Sequence, residues 1–198
     1  MIFLSLYLML HCVAAAKTNL LQQGIAQEVL RFHVLANSDS KVDQEIKLEV
    51  RDAVLAWLWE EEQNTPGLSG KEAEKAFVSS HLKEVEARAN EVLKSCGAAY
   101  EAHAVIRRCY FPDRTYGACT FPAGWYEAVR LELGKAEGNN WWCVLYPRLC
   151  FTDCLHAVVE EKEMQQLSSV LTEEEYESLL HEPSKWHFTF RWFKNFSF

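Results

Sequence analysis

The sequence predicts an α+β fold: a single domain in which a mostly antiparallel sheet packs against two long helices. Two stretches, one between Ser40 and Asn64 and one between Ser69 and Gly97, carry apolar residues at helical spacing between start and stop signals. Several others, spread from Glu28 to Trp192, are rich in β-formers or alternate apolar with polar residues. No low-complexity linker divides the 198 residues, so one core is expected.

The chain opens on a targeting segment. Ile2 to Leu10 is an apolar run of signal-peptide length, and Val13-Ala14-Ala15-Ala16 supplies the small residues a signal peptidase needs. Residues 1–16 are therefore expected to be a signal segment, and 28–198 the folded domain. The run is too short for a comfortable membrane span, which takes about twenty apolar residues. It lacks the usual basic start, because no Lys or Arg precedes Lys17. Cleavage after Ala16 would leave Cys96, Cys109, Cys119, Cys143, Cys150 and Cys154, an even number compatible with bridges in an exported chain.

Glu28 to Ala36 reads as a strand, and Asn37-Ser38-Asp39-Ser40 ends it. Ser40 with Asp43 caps the helix that follows. Ile46, Val50, Ala53, Val54, Trp57 and Leu58 form its apolar stripe, and Leu48, Leu55 and Trp59 add a second, predicting burial on more than one side. After the break at Asn64-Thr65-Pro66-Gly67, Ser69 with Glu72 forms a capping box. It opens a helix carrying Val78, Leu82, Val85, Ala89 and Val92, which stops at Gly97. Tyr100 to Tyr110 alternates as a strand, Phe111 to Arg114 turns, and Thr115 to Phe121 returns as another. Trp125 to Leu133 has the alternation of a strand, although Tyr126 to Ala128 could begin with a helical turn. Thr172 and Glu175 cap a short acidic helix, with Leu171 placed to staple against Tyr176. Trp186 to Trp192 alternates as a strand with one buried face, and Phe193, Phe196 and Phe198 follow as a sticky tail or interface.

The stretch from Gly138 to Phe151 concentrates two tryptophans, two cysteines and a proline behind a Gly-Asn-Asn turn. In an extended chain Trp141 and Trp142 point to opposite sides, so both faces need cover. The chain can reverse at Tyr146-Pro147 and bring Cys143 to Cys150. A disulfide there would close a ring of about eight residues and stabilise the fold by about 2.5 kcal/mol in the chain-entropy account.

The formal net charge of −8 argues against nucleic-acid binding, which calls for a basic face. The acidic cluster from Glu160 to Glu177 reads as a solvated helical face. G-x-S-x-G, G-x-G-x-x-G, P-loop and H-E-x-x-H motifs are all missing. A zinc set could be drawn from Cys143, Cys150, Cys154 and His156, but the spacing fits neither finger nor ribbon. A cysteine nucleophile could borrow His33, His103 or His156 as base, with Asn37 or Asp39 as orienter. A chain with seven Cys and seven His offers such sets by chance. His33, on an apolar strand, reads instead as a hydrogen-bonded structural histidine. No catalytic residue, metal or cofactor is expected.

Two stretches carry a resemblance. Leu30 to Ser40, continued by Asp43-Gln44 and Lys47 to Val54, is similar to the start of stage II sporulation protein R. Pro122-Ala123-Gly124, Tyr126, Ala128, Gly134 and Gly138 through Phe151 resemble that family's second signature, with Arg148 departing from it. The resemblance implies a protein secreted from the forespore into the space between the two membranes. There it would activate the membrane-embedded aspartic protease that processes pro-sigma-E, acting as a ligand with no small-molecule substrate. The surface that binds such a partner should hold aromatic, Arg and polar groups near a rigid element. Asn140, Trp141, Trp142 and Arg148 are the first candidates, with Arg31, Asn37 and Asp39 as a second patch. An exported cysteine-dependent hydrolase and a spore-envelope structural protein are the alternatives.

Overall fold

The computed structural model describes residues 2–150 and 161–180. It is an α+β domain built around a four-stranded mixed sheet. The chain opens with helix α1 (Ile2–Glu28), so residues 2–16 lie in the same helix as the segment that follows. Among the described residues no helix is long and apolar enough to cross a membrane. Strand β1 (Leu30–Leu35) comes next and is buried along all its length.

Helix α2 (Lys41–Gln63) starts as expected, with the Ser40 side chain accepting the Asp43 N–H. Its main stripe, including Ile46, Val50, Val54 and Leu58, is buried. The second stripe is a correction: Leu55 is buried, but Leu48 and Trp59 face solvent, so α2 is covered chiefly on one side. The second predicted helix is two, α3 (Lys71–Ser80) and α4 (Leu82–Ser95), broken at His81. The Ser69–Glu72 capping box does not form either. Gly70 occupies the N-cap at a φ of 88°, and no side chain caps α3. At the far end, Gly97 at a φ of 74° allows a Schellman ending, with Gly97 N–H donating to Lys94 O and Ala98 N–H to Leu93 O.

Strand β2 (Ala102–Phe111) follows. The expected returning strand over 115–121 is instead a small separate hairpin, β3 (Arg114–Tyr116) with β4 (Cys119–Phe121). Gly117, at positive φ, makes its turn. The return to the main sheet is made by β5 (Gly124–Leu133), a strand throughout, and β6 (Asn140–Tyr146) completes it. Strand order is β2-β5-β1-β6; β1 runs parallel to β5, and the other two pairings are antiparallel. Helices α5 (Glu161–Val170) and α6 (Glu173–Leu179) come last. The Thr172–Glu175 capping box on α6 forms as expected. The predicted strand over 186–192 and its aromatic tail lie outside the described residues.

Period-two alternation sends one set of sheet side chains to each face. Phe32, Val34, Val129, Leu131, Cys143 and Leu145 join the stripes of α2, α3 and α4 in one core. On the other face Tyr126, Ala128, Val144 and Phe111 pack with Ile25 of α1, the β3–β4 hairpin and α5–α6. Both faces of the sheet are therefore covered, which is what the Trp141-Trp142 pair requires.

Candidate partner-binding site

The loop 36–40 that leaves β1 and the loop 134–139 that joins β5 to β6 lie together because Leu35 pairs with Asn140 across the sheet. Gly138 N–H donates to Ala36 O at 2.9 Å, Lys135 N–H to Asn37 Oδ1 at 3.0 Å, and Asn139 N–H to Asp39 Oδ1 at 2.6 Å. The approach is close enough to exclude a side chain at Gly138, whose added Cβ would stand 2.2 Å from Ser38 O. Asn37 and Asp39 are thus brought beside Asn140, and their polar atoms hold this junction.

Asp43, in the first turn of α2, anchors it from beneath. Its carboxylate accepts from Asn37 Nδ2 at 2.9 Å, from Tyr100 Oη at 2.5 Å and from the Ser38 hydroxyl. Donation by Ser38 and Tyr100 outweighs partial burial and holds the Asp43 carboxyl at about 2, below its usual 3.8. Burial, then the hydrogen bond to Asp43, pushes the Tyr100 phenol up, so it remains a donor. Lys47, buried one turn on, donates to Asn139 O at 3.0 Å and to Gln44 Oε1 at 2.6 Å. The sequence marked Asp43 as a helix-capping residue and as part of the family resemblance, and Tyr100 as the start of a strand, but neither as part of this junction.

Trp141 and Trp142 stand half-buried on opposite faces of β6. Trp141 meets Phe32 edge-on and lies under the Arg51 guanidinium, 4.8 Å from its ring centre. Trp142 stacks on His33 at 4.9 Å and meets Phe111 edge-on, with Arg114 over its ring. His33 is structural, but by stacking: neither ring nitrogen has a hydrogen-bond partner among the described residues, contrary to expectation. Burial, reinforced by Arg130, Arg107 and Arg31, pulls His33 down to about 3, leaving the ring neutral and poorly suited to act as a base near pH 7.

Arg31 is fully buried on β1, so its guanidinium is out of reach of a partner. Its Nε donates to Cys143 O and its Nη2 to Tyr116 Oη, both at 3.0 Å, while the rings of Phe111, Phe121 and Tyr126 surround it. It ties β1 to β6 and to the β3–β4 hairpin. The sequence could not separate this role from a surface one, because the rings that enclose it are some 80 positions or more away in the chain.

At the other end of β6 a cis Tyr146-Pro147 bond turns the chain, and Cys143 and Cys150 form a disulfide with Cα atoms 5.2 Å apart. Their sulfurs are thereby removed from any metal set, and Cys154 and His156 lie outside the described residues. Arg148, half-buried in this turn, pairs with Glu62 of α2 and lies over the Trp59 ring. Burial first, then the adjoining Glu62, pushes Glu74 of α3 upward. Arg148 thus lies apart from the Asn37–Asn140 junction, so the seven candidates divide among a polar junction, a tryptophan pair, a buried arginine and a clamped turn.

Two of the free thiols are held toward the protonated form. Burial pushes Cys119 up to about 11, and a hydrogen bond to Glu49 raises Cys96. Among the described residues no group of three or more His, Cys, Asp or Glu is placed to hold a metal ion.

The sequence profile of a family described as stage II sporulation protein R matches residues 26–156. Stage II sporulation protein R of Bacillus subtilis (strain 168) is 34% identical over 166 residues, covering 81% of this chain and 71% of that protein. No solved structure matches. The matched span takes in β1, the Asn37–Asn140 junction and the Cys143–Cys150 clamp.

Proposed function

The chain belongs to the stage II sporulation protein R family and so has a role in sporulation, and we propose that it is the secreted signal that passes from forespore to mother cell. In this reading residues 1–16 direct export into the intermembrane space. There the folded domain binds the membrane-embedded aspartic protease that processes pro-sigma-E. It activates the protease by binding the active arrangement more tightly than the inactive one.

One observation supports a recognition role over catalysis: the two stretches that resemble the family meet in space, and their loops are bound to each other at the Asn37–Asn140 junction. Such a cross-braced surface suits a ligand, because a prearranged contact face loses little ordering entropy on binding. Asp39 is its exposed part, and Asn37, Asn140 and Trp141 stand half-buried beside it. A cysteine-dependent hydrolase is disfavoured, since Cys143 and Cys150 are bridged and the Cys96 and Cys119 thiols are pushed away from the thiolate form.

The test is deletion of the gene in the sporulating host, followed by immunoblotting of pro-sigma-E. Processing should stop and return when the gene is restored. Normal processing in the deletion strain would sink the reading. Accumulation of the protein in coat or cortex without any processing defect would favour a structural role.

A further inference from the structure

Among the described residues strand β2 pairs with β5 on one side only, which leaves its other side an edge of the sheet. The first part of that edge is capped: Ala102 N–H donates to Asn90 Oδ1 and Ala104 N–H to Glu86 Oε1, each at 2.8 Å, both acceptors on α4. The β2–β5 register runs without a bulge, so alternation aims the N–H and C=O groups of Ile106, Arg108 and Tyr110 the same way. No described element continues the cover past Ala104. An edge left in this state is a template for another strand.

The side chains along it are unlike the rest of an acidic chain. Arg107 is 53% exposed, and its nearest carboxylate, Glu132, is 4.0 Å away and is shared with Arg130. Arg108 is exposed and makes no ion pair or hydrogen bond among the described residues. Arg107 and Arg130 border a cavity of about 460 Å³ whose wall includes His33, whose ring nitrogens have no hydrogen-bond partner among the described residues. Tyr110 and Trp125, 54% and 53% exposed, meet edge-to-face at 5.8 Å beside Arg108. Alternation places Arg107 on one face of the sheet and Arg108 on the other.

We propose that the Ile106–Tyr110 edge of β2 is a docking site for an extended acidic peptide segment of a partner protein, which adds to the sheet as a fifth strand. Consecutive acidic residues in such a segment would point to opposite faces, one toward Arg107 and Arg130 and the next toward Arg108. The Tyr110–Trp125 pair supplies apolar contact at its end. A second copy of this chain fits less well. Two-fold pairing about the middle of the edge sets Arg107 or Arg108 opposite its own copy, and like charges directly opposed across a strand pair are destabilising. The edge lies on β2, the cavity beside it reaches as far as Asn140 and Trp142, and the docking reading does not depend on which protein the domain signals to.

The test titrates the full chain with a capped peptide, Val-Thr-Glu-Glu-Thr-Val. Two controls are the same peptide N-methylated at alternate amides and a version with Lys in place of Glu. Hydrogen exchange is read at the Ile106, Arg108 and Tyr110 amides. The acidic peptide should bind about tenfold more tightly than either control and slow exchange at those amides. Arg108→Gln, which sets no carboxylate opposite Glu127, should narrow that margin with an unchanged circular dichroism spectrum. Equal affinity for the N-methylated peptide would overturn strand addition in favour of charge attraction alone. Slow exchange without peptide, accompanied by dimers in ultracentrifugation, would assign the edge to a second copy and overturn the proposal, as would no binding. Failure of the signalling reading is seen separately, as processing that continues without the gene.

Discussion

Replacing Asp43 with Asn keeps the shape of the residue and removes the charge on which Asn37, Ser38 and Tyr100 converge. The folded-state carboxyl lies at about 2 against an ordinary 3.8. At 1.36 kcal/mol per unit, this corresponds to about 2 kcal/mol of stability at neutral pH. Because the folded value is depressed, that contribution is present above pH 3.8 and is lost as pH falls through 2. Asp43→Asn should therefore lower the urea midpoint by about 1 M at pH 7, taking a denaturant slope of about 2 kcal/mol per molar. Parent and variant should converge as the pH approaches 2. Amide exchange at Lys135 and Asn139 should quicken, since their acceptors on Asn37 and Asp39 sit in the loop that Asp43 anchors. Equal midpoints at pH 7, or a gap that widens on acidification, would refute the anchoring role.

Two further perturbations follow from the clamp and from the buried acid beside it. Cys143→Ser with Cys150→Ser should cost about 2.5 kcal/mol, the loop-closure entropy of a ring of about eight residues; a urea midpoint that does not move would exclude the clamp as a stabilising element. Glu74 is raised by burial and by Glu62, so its contribution is complete below its unfolded value of 4.5 and is lost as pH rises through the folded value. Glu74→Gln should therefore gain stability relative to the parent as pH is raised from 5 to 9, read by thermal unfolding across that range; parallel curves would show that Glu74 does not titrate differently on folding.

The features legible in the sequence are those decided within a few residues. The Ser40 and Thr172 caps, the Gly97 stop, the opposed tryptophans and the Cys143–Cys150 reversal all depend on local spacing. The errors arise where a distant group decides. Leu48 and Trp59 have the periodicity of buried residues, but no described element packs over that side of α2 fully enough to bury them. Thr115 to Phe121 has strand propensity, yet positive φ at Gly117 folds it on itself while β5 takes the place beside β2. A charged residue in an apolar strand reads as exposed, and only the fold supplies the carbonyl, the phenol and the rings that let Arg31 be buried. Tyr110 and Trp125 have the composition of core residues, and nothing local distinguishes them from buried aromatics.

This arrangement decides how a surface scan should be interpreted. Trp141 and Trp142 anchor opposite cores through one strand, so truncating either removes ring contacts and an overlying guanidinium at once. Loss of signalling in such a variant therefore reports folding and contact together. Asp39 is exposed, but its carboxylate holds the Asn139 N–H, so its removal also loosens the junction. Arg148 carries the same ambiguity through Glu62 and Trp59. Arg108 does not, because it is exposed and makes no ion pair or hydrogen bond among the described residues. Neutralising it, as in Arg108→Gln, changes what a partner meets without setting a second carboxylate opposite Glu127, its neighbour across the strand pair. It is consequently the position at which a lost response can be assigned to binding.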